Sequence, residues 1–253
     1  MIHDPLFYAL AAVAVLIVGI SKGGFGGGLG VVAVPLMSLA VPPFRAAALM
    51  LPILCAMDLV GLWAYRRDWD GANLRIMIPG AIAGIVIAAF TFGYFSEDAI
   101  RLLIGLIAVG FSLNHWLGGA RREAARPAER DLGKGGFWSA VAGFTSFAAH
   151  AGGPPISLYL LPQRMDKTLF VGTTVIFFAV VNYVKLVPYA FLGELGVSNL
   201  ATSVVLLPLA PIGVWLGIFL HHRVSQVWFY RVCYVFLFFT GLRLLWEGGV
   251  GIL

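Results

Sequence analysis

Two short stretches of this chain combine side chains and backbone that can hold an anion. The first reads Gly19-Ile20-Ser21-Lys22-Gly23-Gly24-Phe25-Gly26-Gly27-Gly28-Leu29-Gly30, with six glycines among the eight residues from Gly23 to Gly30. An ammonium group there sits beside backbone amides that no side chain shields. The second reads Gly143-Phe144-Thr145-Ser146-Phe147-Ala148-Ala149-His150-Ala151-Gly152-Gly153-Pro154-Pro155. It supplies two hydroxyls and an imidazole just ahead of a double proline. Proline suits the first positions of a helix, and a helix N-terminus presents free N–H donors and partial positive charge. Gly28 is read the same way, as the start of a second short helix after the first break. The residues expected to contact a ligand are therefore Ser21, Lys22, Gly24 and Gly28 from the first stretch and Thr145, Ser146, His150, Gly152 and Gly153 from the second.

Composition says where these stretches lie. The chain has 253 residues, 60% of them hydrophobic and 11% charged, with mean hydropathy +0.92; a soluble domain carries about 25% charged residues. The sequence is that of a polytopic membrane protein. Broken backbone at membrane depth survives where it is buried in protein or lines a cavity, and a cation there is a functional-site candidate by default. The net charge of +5 is no nucleic-acid signature, because the basic residues gather in loops. Cys55 and Cys233 lie in apolar spans and form neither a disulfide framework nor a metal motif, and no cofactor is expected. The glycine run follows no strand and carries no phosphate-loop ending. The N-terminus lacks a basic n-region, so the first apolar stretch is read as a retained helix.

Six apolar spans approach the ~20 residues that cross a bilayer: Ala46 to Tyr65, Leu74 to Tyr94, Ile100 to Leu117, Leu169 to Leu192, Leu200 to Leu220 and Val227 to Trp246. Four segments are too short alone: Phe7 to Ile20, Val31 to Val41, Phe137 to Ala149 and Pro155 to Pro162. They form two pairs, each interrupted at a glycine-rich break, as at the binding sites of repeat-built transporters. A shift of 124 residues brings Gly19 onto Gly143, Gly28 onto Gly152 and Asp58 onto Asn182; a shift of 129 brings Pro79 onto Pro208 and Gly84 onto Gly213. The expected fold is all-α, a duplicated membrane protein of eight to ten helical segments. One repeat is 1–117, a solvated linker is 118–136, and the second repeat is 137–253. Lysine and arginine counts place the linker, Arg66, Arg67, Arg75, Arg164, Lys167, Arg223 and Arg231 in the cytoplasm. The halves are then inverted, with both termini outside. Trp63, Trp69, Trp116, Trp228 and Trp246 are read as an interfacial belt, Arg243 and Glu247 as an i, i+4 pair, and Gly80, Gly84, Gly105 and Gly110 as helix contacts.

Three further polar residues lie inside spans. Asp58 is mid-span, its repeat mate is Asn182, and Lys185 follows Asn182 by one helical turn. Asp58 is expected to pair with Lys22 or with Lys185. Lysine charge would bind an anion, with Asn182 adding a hydrogen bond, while Asp58 or His150 exchanges protons.

At these residues the chain resembles the TauE/SafE family of sulfite-exporter-like permeases. The resemblance rests on the stretch from Gly19 to Gly28 with Val34-Pro35, on His150-Ala151-Gly152-Gly153-Pro154-Pro155 and on Asn182-Tyr183-Val184-Lys185-Leu186. It implies a duplicated permease that moves small sulfur-containing anions, such as sulfite or organosulfonates, across the inner (cytoplasmic) membrane. His150 and the double proline depart from the plainer glycine-rich form of many members. The expected function is secondary transport of a small oxyanion, with the bilayer and the substrate as partners and a homo-oligomer left open. A carboxylate permease is the alternative, disfavoured because neither glycine-rich stretch carries an arginine. The rival class is a polytopic assembly factor. An enzyme is not expected, since no nucleophile–base pair or metal cluster is present.

Overall fold

Inside a bilayer every backbone amide needs an internal partner, and helices provide one for each residue they contain. The computed structural model of the chain describes residues 2, 4–27, 30, 33–91, 97–117 and 127–252, and among these there is no strand. The helices are α1 (Pro5–Gly24), α2 (Ala33–Met37), α3 (Pro43–Ala64), α4 (Gly71–Thr91), α5 (Glu97–Leu117), α6 (Leu132–Ala149), α7 (Gly153–Leu160), α8 (Lys167–Phe191), α9 (Val197–Leu206), α10 (Leu209–Arg223) and α11 (Gln226–Ile252). Aspartates start three of them: Asp4 accepts from the Leu6 amide, Asp131 from the Lys134 amide, and Asp166 from the amides of Thr168 and Leu169.

Five helices are long and apolar enough to cross a membrane: Pro5–Gly24, Arg45–Ala64, Gly71–Thr91, Lys167–Phe191 and Gln226–Gly251. The pair α9 and α10, bent by 44°, makes a sixth if counted as one span. This is a multi-pass membrane protein. Among the described residues, each apolar segment of the sequence reading contains a helix, with two corrections. The first concerns Phe7 to Ile20, read as too short to cross. Helix α1 continues through Lys22, Gly23 and Gly24 to a length of 20 residues. Tertiary packing overrides the low helix propensity of glycine here. A Cβ on Gly19, Gly23 or Gly24 would meet the backbone of Gly213, Val214 or Gly217 on α10. The second concerns Leu200 to Leu220, read as one span. Pro208 divides it into α9 and α10, whereas Pro79 lies inside α4, which stays whole from Gly71 to Thr91.

Packing between the halves is reciprocal. Helix α1 lies against α10 and α4 lies against α6, while α5 meets α11 and α3 meets α8. Small residues let the backbones approach closely. Gly84 faces the Ala140 carbonyl and Gly143 faces the Ala81 carbonyl, and Gly105 meets Gly241 and Leu245. Gly80 meets Gly136. Gly110 does not fit its expected role, because nothing lies within 4 Å of a Cβ placed there. Arg243 and Glu247 do pair, at 2.7 Å.

At the loop end of α4 a polar cluster ties three segments together. Asp70 accepts from the Arg130 guanidinium at 2.9 Å, and Asn73 joins Gln163 at 2.8 Å and the Tyr159 hydroxyl at 2.8 Å. Partial burial pushes the Asp70 carboxyl up, but amide hydrogen bonds from Asn73 and Ala72 and the Arg130 charge outweigh it and hold the group below its usual range.

The glycine contacts make a direct test. Gly84→Val drives side-chain atoms into the Ala140 carbonyl, and overpacking of this kind costs ~1–3 kcal/mol. We expect a lowered melting temperature in detergent for Gly84→Val and none for Gly110→Ala. Equal melting of the two variants would contradict the close α4–α6 approach.

Candidate functional site

Both glycine-rich breaks end their first helix in the same way. The Gly27 amide donates back to the Ser21 carbonyl at 3.0 Å, and the Ala151 amide to the Thr145 carbonyl at 3.2 Å. Each closure reaches a carbonyl six residues back, one residue further than a Schellman end, and turns through a left-handed residue. Gly26 fills that position in the first break with φ 72°, followed by Gly27 at 78°. His150 fills it in the second with φ 53°. A left-handed non-glycine residue carries strain of roughly 1–2 kcal/mol, so the imidazole is held where a glycine would sit more easily.

Two tyrosines brace these helix ends. Tyr65 donates to the Gly23 carbonyl at 2.6 Å and Tyr189 to the Phe147 carbonyl at 2.7 Å. Donors and acceptors alike are 124 residues apart, so each half makes the same bond to its own broken helix. His221 reaches the neighbouring Gly24 carbonyl at 3.1 Å. The sequence reading missed all three residues. The tyrosine spacing was the available signal, since it matches the shift that relates Asp58 to Asn182.

The charged groups form two clusters. In the first, the Lys22 ammonium lies 2.5 Å from Asp58 Oδ1 and 3.5 Å from the Leu54 carbonyl, and Asn182 Nδ2 donates to Asp58 Oδ2 at 2.7 Å. Of the two partners open to Asp58 in the sequence, the structure places Lys22 there. In the second, Lys185 Nζ donates to the Ser146 carbonyl at 3.0 Å and to Ser146 Oγ at 3.0 Å, and it lies 2.8 Å from His150 Nδ1. His150 Nε2 is 2.9 Å from the Ala47 carbonyl. Asp58 and Lys185 are fully buried, and Lys22 and His150 nearly so.

Between the clusters lies a cavity of about 30 Å³, somewhat more than the ~10–15 Å³ one water needs. Lys22, Ser146, His150, Gly153 and Asn182 line it, together with Gly27 and Gly30. Val18, Met50, Leu54 and Phe178 supply apolar wall, which no polar motif could signal. Other sequence candidates lie behind this lining. Asp58 and Lys185 sit one contact back, through Lys22 and through His150 and Ser146. The Thr145 hydroxyl is turned to the backbone carbonyls of Val141 and Ala151, at 2.9 and 3.1 Å. Ser21 is buried, and Gly24 and Gly152 serve packing against α10 and against Phe178 and Ala142. Gly28 lies outside the described residues, and the next described helix, α2, begins at Ala33. No group of His, Cys, Asp and Glu among the described residues has the placement to hold a metal.

The family model described as sulfite exporter TauE/SafE matches residues 11–244 of this chain. No curated protein and no solved structure matches it.

The Lys22–Asp58 pair makes a specific demand on stability. Removing one partner of a buried pair leaves an uncompensated charge and costs ~3–5 kcal/mol. We expect Lys22→Ala to depress folding yield and thermal stability sharply, and Lys22→Ala with Asp58→Asn to recover both. A double variant no more stable than Lys22→Ala would show that the pair is not what holds α1 to α3.

Proposed function

This chain belongs to the sulfite exporter TauE/SafE family of membrane transporters, and from that premise we propose that it is a secondary transporter for a small sulfur-containing oxyanion of the sulfite or organosulfonate type, working as an exporter in the cytoplasmic membrane. The observation that carries the reading is the cavity where both broken helices meet, walled by a lysine ammonium, an imidazole, a serine and an asparagine. Ammonium and hydroxyl donors suit a tetrahedral or pyramidal oxyanion, because each oxygen can take one charge-assisted bond. Lys22 contacts the anion directly, and Lys185 supplies charge through Ser146 and His150. Gly153 at the start of α7 adds backbone polarity, while Thr145, Ser21, Gly24 and Gly152 shape the two breaks. The apolar wall excludes water and sharpens each electrostatic contact.

The reciprocal packing of α1 on α10 and α4 on α6 supports two repeats, 1–117 and 137–253, joined through the segment 118–136. In this reading the repeats are inverted, the joining segment is cytoplasmic and both termini face outward. The cavity has little room in the present conformation, so the substrate enters when one repeat rocks against the other, which is alternating access. Protons exchanged at His150 or Asp58 couple the movement to an ion gradient. A carboxylate permease is the less favoured alternative, since among the described residues no arginine lines the cavity to offer the bidentate geometry a planar carboxylate prefers. An assembly factor would need no anion selectivity.

Ligands that bind the folded state raise apparent stability by mass action. Purified protein should melt higher in sulfite or methanesulfonate than in acetate at equal ionic strength. Lys185→Gln, and Lys22→Gln made together with Asp58→Asn to keep the fold, should each lose that shift while still inserting in the membrane. A shift common to all anions, or preserved in both variants, would count against an oxyanion site. Reporter fusions that are active outside the membrane should be silent at residue 127 and active at the C-terminus; the opposite pattern would rule out the inverted arrangement.

A further inference from the structure

The buried charges of this site can be counted. Asp58 is the one buried carboxylate among the described residues, and its two oxygens are taken by Lys22 and Asn182. The Lys22–Asp58 pair is therefore neutral. Lys185 has no carboxylate among its hydrogen-bond partners. Its contact with His150 fixes how many protons the two side chains hold. An ammonium donates and never accepts, so when Lys185 is charged the His150 Nδ1 must be bare, and Nε2–H donates to the Ala47 carbonyl. When His150 is charged, Lys185 must be the neutral amine that accepts from Nδ1–H. Both groups charged would place donor against donor at 2.8 Å. The dyad thus holds at most one net positive charge, carried by Lys185 or by His150.

The remaining titratable groups around it do not alter this sum. They are Lys22 on α1 and Cys55 and Asp58 on α3, the groups that interact electrostatically with Lys185 or His150. Cys55 counts as a neutral thiol, and the first residues of α7 carry no ionisable side chain. With the dyad charged, the closed site has an excess of one positive charge, in a setting where an unbalanced charge is costly.

We infer that the site is charge-matched to one negative charge: a monoanion binds without taking up a proton, and a dianion binds together with one proton, which His150 accepts at Nδ1 when its bond to Lys185 opens toward the ligand. The inference rests on the proposed oxyanion site and adds to it the ionisation state of the substrate. The proton comes from solvent, the Lys185 ammonium keeps its own, and the imidazole becomes imidazolium. The loaded site is neutral in both cases. For sulfite the matched species is hydrogensulfite, and for organosulfonates it is the monoanion they already are.

The test is calorimetry on the full chain in two buffers of different ionisation enthalpy. The probes are methanesulfonate, a fixed monoanion, and sulfate, a dianion near neutral pH. At pH 6 methanesulfonate should bind with no net proton exchange. Sulfate should bind with uptake of one proton and weaken ~10-fold per pH unit, or fail to compete at all where methanesulfonate does. In His150→Gln the proton linked to sulfate should disappear. Asp58→Asn leaves Lys22 uncompensated and raises the site by one charge, so sulfate should then bind without a proton. Sulfate bound by the unaltered protein with no proton uptake, or methanesulfonate bound with a full proton, overturns the charge match while leaving an oxyanion site standing. Binding of neither probe removes the oxyanion site itself, and the charge match with it.

Discussion

The structure depends on one constraint: a lysine at the end of an interrupted membrane helix must find its counter-charge within the protein. Lys22 finds it at Asp58, and Asn182 from the other half takes the second carboxylate oxygen. Three helices, α1, α3 and α8, are fixed against one another by that single group. Because each partner left alone would be a desolvated charge, the contact constrains position far more than an exposed ion pair would. The cavity forms beside it, where the same ammonium retains donor capacity.

The backbone breaks impose the second layer. Each helix end leaves unpaired carbonyls, and in this setting they cannot turn to water. The backbone closures at Gly27 and Ala151 take up some of them, and Tyr65, Tyr189 and His221 take up others. These bonds explain how a glycine-rich stretch can be ordered enough to present Lys22 and His150. They also make the breaks dependent on neighbouring helices, since the tyrosines come from α3 and α8 and the histidine from α10.

Much of this was legible in the sequence. Apolar run lengths located the helices, and the spacing of Lys22, Asp58, His150, Asn182 and Lys185 marked buried polar residues, because each such group in an apolar span stands out. Other features were not legible because they are settled by contacts distant in the chain. Gly23 and Gly24 look like helix breakers, yet α10 presses against them and keeps α1 helical. Pro79 and Pro208 are 129 residues apart, the offset that also relates Gly84 to Gly213, yet one lies within a helix and the other divides two. The choice of Lys22 over Lys185 for Asp58 depends on how α1, α3 and α8 meet, which no local spacing encodes. The roles of Thr145 and Gly152 differ from their apparent promise because hydroxyls near a helix end readily bond their own backbone.

The unequal contribution of the two halves has a genetic consequence. The acid comes from the first half, and the Lys185–His150 dyad comes from the second. A homodimer of first halves would bring two Lys22–Asp58 pairs and no surplus charge. A homodimer of second halves would bring two dyads and no carboxylate. A single surplus charge beside one carboxylate arises in a one-to-one mixed pair alone, and one reading frame carrying both halves guarantees that ratio. Separately encoded halves would have to avoid assembling with themselves, and covalent fusion removes that competition.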